Sequence, residues 1–164
     1  MEVRKTWPNH TSTRSYRYED QRFPDKLTGI VDERGVRIST WAYDTNGRAI
    51  SASMAAGTGM FQFAYDSPVQ TTVTNPLGHP VRYGFTVVQG AKRITSIAGE
   101  PVAGCPAANS TFTYTPDARL ATQTNGLGQV TAFSYDTQGR ETSRTEAKDT
   151  PEERTTITTW DGST

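Results

Sequence analysis

The side chains that could perform catalysis are few in this 164-residue sequence. A lone Cys105 cannot form an internal disulfide, and with His10 and His79 it makes no cluster of metal-ligand spacing. His79 could act as a general base only beside a nucleophile, and the sequence places none there. We therefore assign no catalytic and no metal-binding role to these three residues.

Paired acidic residues and short glycine segments are equally uninformative about catalysis. Asp32/Glu33 and Glu152/Glu153 are neighbours in the chain, and adjacent residues on a strand point to opposite faces, so we interpret them as solvated turn charge. The segments 57–59 and 126–128 are too short for a phosphate-binding loop, and no helix is predicted to follow them. The sequence predicts no enzyme and no cofactor.

Charge and hydropathy exclude further classes of function. The 17 basic and 17 acidic residues give a formal net charge of zero, and no basic stripe indicates a nucleic-acid surface. The apolar stretches are too short for a membrane-spanning helix. The N-terminus lacks the apolar region of a signal peptide, so we expect no export by the general secretory route.

Aromatic residues are the most regular feature of the chain, since thirteen of its sixteen fall in aromatic-x-aromatic steps. Residues two apart share one face of a strand, so each step puts two rings on the same side of a sheet. The steps are Tyr16/Tyr18, Trp41/Tyr43, Phe61/Phe63/Tyr65, Tyr83/Phe85, Phe112/Tyr114 and Phe133/Tyr135. Their last rings recur every 20 to 29 residues, which indicates a repeat protein.

Tight turns separate the steps and form two classes. In the first, the last ring is followed by Asp, two residues, Gly and Arg, as in Tyr43–Arg48 and Tyr135–Arg140, with a degenerate copy at Tyr114. In the second, Asp or Asn is followed three positions later by Gly, as in the segments 31–35, 74–78 and 124–128. Asp or Asn can accept hydrogen bonds from the backbone two residues on, and Gly accepts the left-handed conformation that closes the loop.

Strands between these turns give an antiparallel meander. Candidate return strands are 36–40, 71–74, 81–85, 120–124 and 130–134, and 51–60 is interpreted as one irregular or bulged return strand. Residues 98–110 are predicted to form an inserted loop. A sandwich or small barrel with aromatic core positions would also explain the rings alone, but it does not require Asp and Arg at fixed offsets from them.

The ring-and-turn motif resembles the YD repeat of Rhs proteins, which include bacterial polymorphic toxins, and which share this repeat with the Tc toxin B and C components and the teneurins. The residues assigned to the structural repeat motif are Tyr43, Asp44, Gly47, Arg48, Tyr114, Arg119, Tyr135, Asp136, Gly139 and Arg140. The copies at Tyr18, Tyr65 and Tyr83 depart from the pattern, which leaves the local strand register open.

This resemblance implies a β-sheet ribbon that winds into a hollow shell around a toxin, often one exported by type VI secretion. It also implies an Asp-Pro-x-Gly self-cleavage motif at the end of the shell. In this chain the related segment Asn75-Pro76-Leu77-Gly78 lies in mid-chain. Because Asn cannot serve as an acid or base, we assign no catalytic residue of the family to this chain.

The sequence therefore predicts an all-β protein, an antiparallel meander of YD-repeat hairpins forming a curved, twisted segment of a β-shell. Residues 1–15 are a lead-in, 16–160 a single repeat region in which Trp160 is interpreted as the start of another copy, and 161–164 a tail. The expected partners are the rest of a shell and an enclosed toxin, without nucleic acid or a membrane span, and the protein is expected in the cytoplasm before specialised export. The open sheet edges predict self-association. The alternative is an aromatic-repeat module that binds cell-surface carbohydrate or a protein.

Overall fold

The computed structural model describes residues 2–7, 10–54, 57–99 and 109–162. These residues form fourteen β-strands and no helix, and the order of the strands in the sheet is their order in the chain. Every recorded pairing is antiparallel. The predicted all-β antiparallel meander is confirmed.

Two compact units divide the chain, one of residues 1–65 and 72–80, the other of residues 66–71 and 81–164. The first contains β1 (Glu2–Trp7), β2 (His10–Arg17), β3 (Gly29–Val31), β4 (Arg37–Tyr43), β5 (Ala49–Met54) and most of β6 (Thr58–Ser67) and β7 (Gln70–Thr74). The second contains nearly all of β8 (Pro80–Val88), with β9 (Ala91–Gly99), β10 (Ser110–Tyr114), β11 (Leu120–Thr124), β12 (Val130–Tyr135), β13 (Glu141–Glu146) and β14 (Arg154–Ile157). The single repeat region at 16–160 stays a prediction.

The aromatic steps lie on or directly after the even-numbered strands, from β2 to β12. Three predicted return strands, 36–40, 81–85 and 130–134, are therefore wrong in assignment, because each belongs to the same strand as a ring step. The return strands are the odd-numbered ones, of which β11 has the predicted bounds and β7 begins one residue early. The ring strands are longer than the aromatic steps, so the residues before each step continue into the same strand.

Two other segments differ from expectation. The segment 51–60 contains the end of β5 and the start of β6, which pair antiparallel, rather than one strand, and Gly57 and Gly59 have positive φ angles of 97° and 67°. The predicted lead-in contains β1 and most of β2, which pair from Glu2 with Ser15 to Trp7 with His10. Most of the predicted inserted loop, and Cys105 with it, lies outside the described residues.

A one-residue register shift lies directly before the last ring of most steps. In β12–β13, Ser134 faces Ser143 but Tyr135 faces Glu141, so Thr142 is an extra residue on the return strand. Equivalent shifts occur at Tyr43, Phe85 and Tyr114. Such bulges disrupt the ladder locally and increase the twist of the strand that carries them.

Burial in the described chain is shallow, since none of its hydrophobic side chains is fully buried and most rings are half-buried. Opposite the ring face of the second unit, one row of paired positions consists of Thr113, Thr122, Ala132, Thr145 and Thr155. Hydroxyl contacts join Thr113 to Thr122 at 2.6 Å and Thr145 to Thr155 at 2.9 Å. The stability of this sheet must come mainly from half-buried rings and polar contacts.

Candidate functional site

The turns of the predicted repeat motif are closed by their first residue. Asp136 Oδ1 accepts hydrogen bonds from the backbone N–H groups of Gln138 and Arg140, both at 2.9 Å, and the Gly139 N–H donates to the Asp136 carbonyl at 3.0 Å. Gly139 has a φ of 86°, the left-handed conformation that closes a three-residue hairpin loop of this kind. The Asp44 turn has the same bonds, and Gly47 has a φ of 72°.

The two predicted turn classes share one geometry. In all six turns, the fourth residue donates to the carbonyl of the first and has a positive φ, and the N–H of the first donates to the carbonyl of the fifth. The first residues are Asp32, Asp44, Asn75, Thr115, Asn125 and Asp136, and the fourth are Gly35, Gly47, Gly78, Ala118, Gly128 and Gly139. Turns of both classes therefore share a side-chain oxygen at the first position and a left-handed backbone at the fourth.

The arginine that ends each motif makes two kinds of contact. Arg48 pairs with Asp44 at 2.8 Å, and its guanidinium lies 4.2 Å from the centroid of the Tyr65 ring in the following step. Arg140 pairs with Asp136 at 2.8 Å and lies 5.5 Å from the Trp160 ring. Cations over aromatic faces are stabilised by the ring quadrupole, by roughly 0.5–1 kcal/mol at exposed sites.

Strand register explains why these arginines meet the next ring. In β11–β12, Thr122 faces Ala132, and the same register three residues further along places Arg119 opposite Tyr135. When each register is extended in this way past its last paired residues, a basic residue comes opposite a ring in five places. The pairs are Lys26 with Tyr43, Arg48 with Tyr65, Arg93 with Tyr114, Arg119 with Tyr135 and Arg140 with Trp160. In the pairs of Lys26, Arg48, Arg119 and Arg140, the cation lies within 5.8 Å of the ring centroid.

Each of these rings also donates a hydrogen bond to the carbonyl that follows the basic residue. The bonds run from Tyr43 to Leu27 (2.6 Å), Tyr65 to Ala49 (2.9 Å), Tyr114 to Ile94 (2.8 Å), Tyr135 to Leu120 (2.9 Å) and, through its indole N–H, Trp160 to Glu141 (2.8 Å). Burial raises the pKa of the Tyr43 and Tyr135 hydroxyls, which keeps them protonated as donors. We call each ring, its opposing basic residue and the accepting carbonyl an inter-repeat joint.

Two of the turn glycines also lie against a joint. A Cβ added to Gly139 would come within 2.5 Å of the Arg119 guanidinium, and one added to Gly47 would come within 2.8 Å of Cε of Lys26. Arg119 reaches this position while it pairs with Asp117 at 2.7 Å and donates to the Asp136 carbonyl at 3.3 Å. Glycine at these two positions therefore serves both the backbone conformation and the close approach of a cation.

Sequence reasoning missed three members of the joints. Lys26 lies in the irregular segment between β2 and β3, and it is 5.8 Å from the Tyr43 ring. Arg93 follows Tyr83, whose copy departs from the pattern, and Trp160 is named above only as the start of another copy. The available signal was a basic residue 16 to 21 positions before each ring.

The joints consist of polar and aromatic contacts. Among the residues that the structure describes, no group of three or more His, Cys, Asp or Glu side chains could hold a metal ion. No helix of the described residues is long and apolar enough to cross a membrane. The part that each assigned motif residue plays in stability stays a prediction.

Hydrogen bonding in the turns makes their stability depend on pH. The backbone N–H of Arg140, and then its side chain, hold the pKa of Asp136 below its ordinary value. The pKa of Asp44 is also lowered, chiefly by the backbone N–H of Arg48. A carboxyl whose pKa is lower in the folded state binds more protons in the unfolded state. Its stabilising contribution is present above the unfolded pKa of about 3.9 and is lost as the pH falls through the folded value.

We therefore expect the urea concentration at the unfolding midpoint to decrease as the pH is lowered from roughly 5 to roughly 2. This decrease should be smaller in Asp136→Asn. The amide keeps the Oδ1 acceptor, as Asn75 and Asn125 do in their own turns, but it does not titrate. Urea unfolding of both proteins across this range checks the expectation. Identical pH profiles for the wild type and the variant would contradict it.

One segment of the second unit matches a known protein family. Residues 114–151, which include the Tyr135 joint and the Asp136 turn, match the family model named RHS repeat. These residues are an RHS repeat. The relationship to the Rhs and YD-repeat family, inferred from the ring-and-turn motif, is confirmed.

A bacterial toxin is similar to a longer part of this chain. Double-stranded DNA deaminase toxin A of Burkholderia cenocepacia (strain H111) is 29% identical over 112 residues, which is 66% of this chain and 7% of that protein. The chain thus spans only a small part of the length of this relative. Its activity on DNA is the relative's own.

Two solved structures align with this chain. The crystal structure of TcdB2-TccC3-TEV aligns over 84% of this chain and 7% of that chain, with a TM-score of 0.51 and 12% identity. A Photorhabdus luminescens Tc holotoxin pore structure, with a mutated TccC3, aligns over 94% of this chain and 11% of that chain, with a TM-score of 0.47 and 11% identity. At this identity, the first likeness shows the fold alone.

Proposed function

We propose that this Rhs-repeat chain is a structural segment of a shell wall that encloses a toxin polypeptide, without catalysis of its own. The observation that carries this proposal is the series of inter-repeat joints. Each joint fixes one hairpin to the previous one through a ring, a cation and a backbone carbonyl. Such a module extends a sheet by repetition, as repeat proteins do through contacts between neighbouring units.

The burial of the rings favours this role over carbohydrate binding. A ligand that stacks on a ring requires an exposed aromatic face, whereas the four tyrosines of the joints are half-buried and their hydroxyls donate to backbone carbonyls. Arg48 already covers one face of Tyr65 at 4.2 Å. The rings at these positions are used for packing within the sheet.

The proposed partners are the remaining shell repeats and the enclosed toxin, with residence in the cytoplasm until a specialised secretion system exports the assembly. Cryo-electron microscopy of the natural gene product that contains this chain tests the enclosure. We expect residues 10–162 in the wall of a closed cavity, with a polypeptide inside that trypsin does not cleave. A ribbon whose two faces are both open to bulk solvent would overturn the proposal.

The isolated chain is predicted to self-associate. β1 and β14 stand at the two ends of the strand order, and the four residues of β14 are all exposed. Edge strands present backbone N–H and C=O groups that pair with other chains. Light scattering should show a mass that rises with protein concentration, and a monodisperse monomer that melts cooperatively at high temperature would contradict this prediction.

A further inference from the structure

Three asparagines occupy exposed turns and differ in the residue that follows them. They are Asn46, followed by Gly47; Asn75, followed by Pro76; and Asn125, followed by Gly126. The main-chain nitrogen of a following residue can attack the asparagine Cγ and form a five-membered cyclic imide. Glycine favours this attack because it has no side chain to hinder the approach.

Asn125 combines an activated carbonyl with an available nucleophile. Its Oδ1 accepts hydrogen bonds from the N–H groups of Leu127 and Gln129, both at 3.0 Å, and its Nδ2 donates to Gln129 Oε1 at 2.9 Å. Two such donors stabilise the negative charge that develops on this oxygen during attack, as an oxyanion hole does. The exposed Gly126 N–H donates to no acceptor within the described residues.

The other two asparagines each lack one of these conditions. Asn75 has the same carbonyl environment, with donors from Leu77 at 2.9 Å and His79 at 3.0 Å, but Pro76 has no N–H. At Asn46, the attacking group would be the Gly47 N–H, which donates to the Asp44 carbonyl at 3.0 Å. Both residues are therefore controls for the nucleophile, which is absent at Asn75 and engaged in a turn hydrogen bond at Asn46.

We propose that Asn125 is a site of spontaneous chemical modification. The Gly126 nitrogen loses its proton and bonds to Asn125 Cγ, the bond from Cγ to Nδ2 breaks, and ammonia leaves. Water then opens the cyclic imide at either carbonyl and gives aspartate or isoaspartate. The sequence of steps is a substitution followed by a hydrolysis, so it consumes one water molecule and requires no oxidant or reductant.

The two products have opposite effects on the β11–β12 hairpin. Aspartate preserves the turn, because Asp44 and Asp136 occupy the same position in theirs. Isoaspartate inserts a methylene into the main chain, which displaces the Asn125 carbonyl from the Gly128 N–H that donates to it at 2.9 Å. Modification therefore creates either a new negative charge or a broken hairpin at one known turn.

Incubation of the full chain at mildly alkaline pH, followed by peptide mass mapping, tests the proposal. We expect Asn125 to convert about fivefold faster than Asn46, whose Gly47 N–H must first give up its hydrogen bond to the Asp44 carbonyl. This factor corresponds to the roughly 1 kcal/mol of one hydrogen bond. Asn75 should remain unchanged. Conversion of Asn46 at an equal or higher rate, or an unchanged Asn125, would overturn it.

A reciprocal exchange of the following residues makes the test independent of any one variant. Gly126→Pro should abolish conversion at Asn125, because proline has no N–H. The turn should still form, because Pro76 and Pro116 occupy the same position of their turns. Pro76→Gly should create conversion at Asn75. If Asn75 stays unchanged in a folded Pro76→Gly variant, the activated carbonyl does not promote the reaction, and the assignment of Asn125 fails.

Discussion

Replacing Gly139 with valine is expected to lower the free energy of unfolding by about 2–3 kcal/mol, and the melting temperature by roughly 5–10 °C. The φ of 86° is costly for a β-branched residue, and the new Cβ would meet the Arg119 guanidinium that lies across this turn. Thermal unfolding followed by circular dichroism measures both quantities. The same substitution at Gly47 should act similarly, because Lys26 lies there.

Gly128→Val is the matched control for this prediction. Gly128 has a φ of 80°, but no atom lies within 4 Å of its ideal Cβ, so only the backbone cost remains. Ala118 already occupies the equivalent position with a φ of 65°, which shows that one methyl group is accepted there. Equal losses at Gly139 and Gly128 would rule out a contribution from Arg119, and no loss at either would rule out the left-handed conformation.

Tyr135→Ala is expected to destabilise the chain by about 2–4 kcal/mol, somewhat less than the loss of a fully buried ring. It removes a half-buried ring, the hydrogen bond to the Leu120 carbonyl and the surface that Arg119 covers at 5.7 Å. Tyr135→Phe keeps the ring and should cost about 1 kcal/mol, the net contribution of one hydrogen bond. Urea unfolding of the two variants separates the hydroxyl from the ring.

Phe61→Ala provides the comparison with a ring outside the joints. Phe61 is 43% exposed and lies earlier on its strand than Tyr65, the ring that contacts Arg48. Its loss should be smaller than that of Tyr135. If both substitutions cost the same, the joints contribute no more than any ring on the sheet, and the proposed coupling between repeats would be wrong.

The fold was predictable because its signals are local. A ring step spans three residues and a turn spans five, so Tyr135, Asp136 and Gly139 could be assigned within one short window. Hydrogen bonding by Asp and the positive φ of Gly are properties of the residue types themselves. These signals also led to the Rhs-repeat family, whose model matches residues 114–151.

The joints were not predictable in the same way because they depend on strand register. Arg119 meets Tyr135 only if β11 and β12 pair in one particular alignment, and a shift of one residue would place them on opposite faces. The extra residue on the return strands β5, β9, β11 and β13 changes this alignment in a way that the sequence does not mark. Lys26 was harder still, since it reaches Tyr43 from an irregular segment.

The half-buried rings have a consequence for how the sheet opens. Each joint links a hairpin only to its predecessor, so within each unit the hairpins form a linear series with coupling between nearest neighbours. Fraying that begins at one end must release the joints in turn, and amide exchange should then be graded along the series rather than by depth. The protection of an amide in such a protein depends on how far its hairpin lies from the end at which fraying begins.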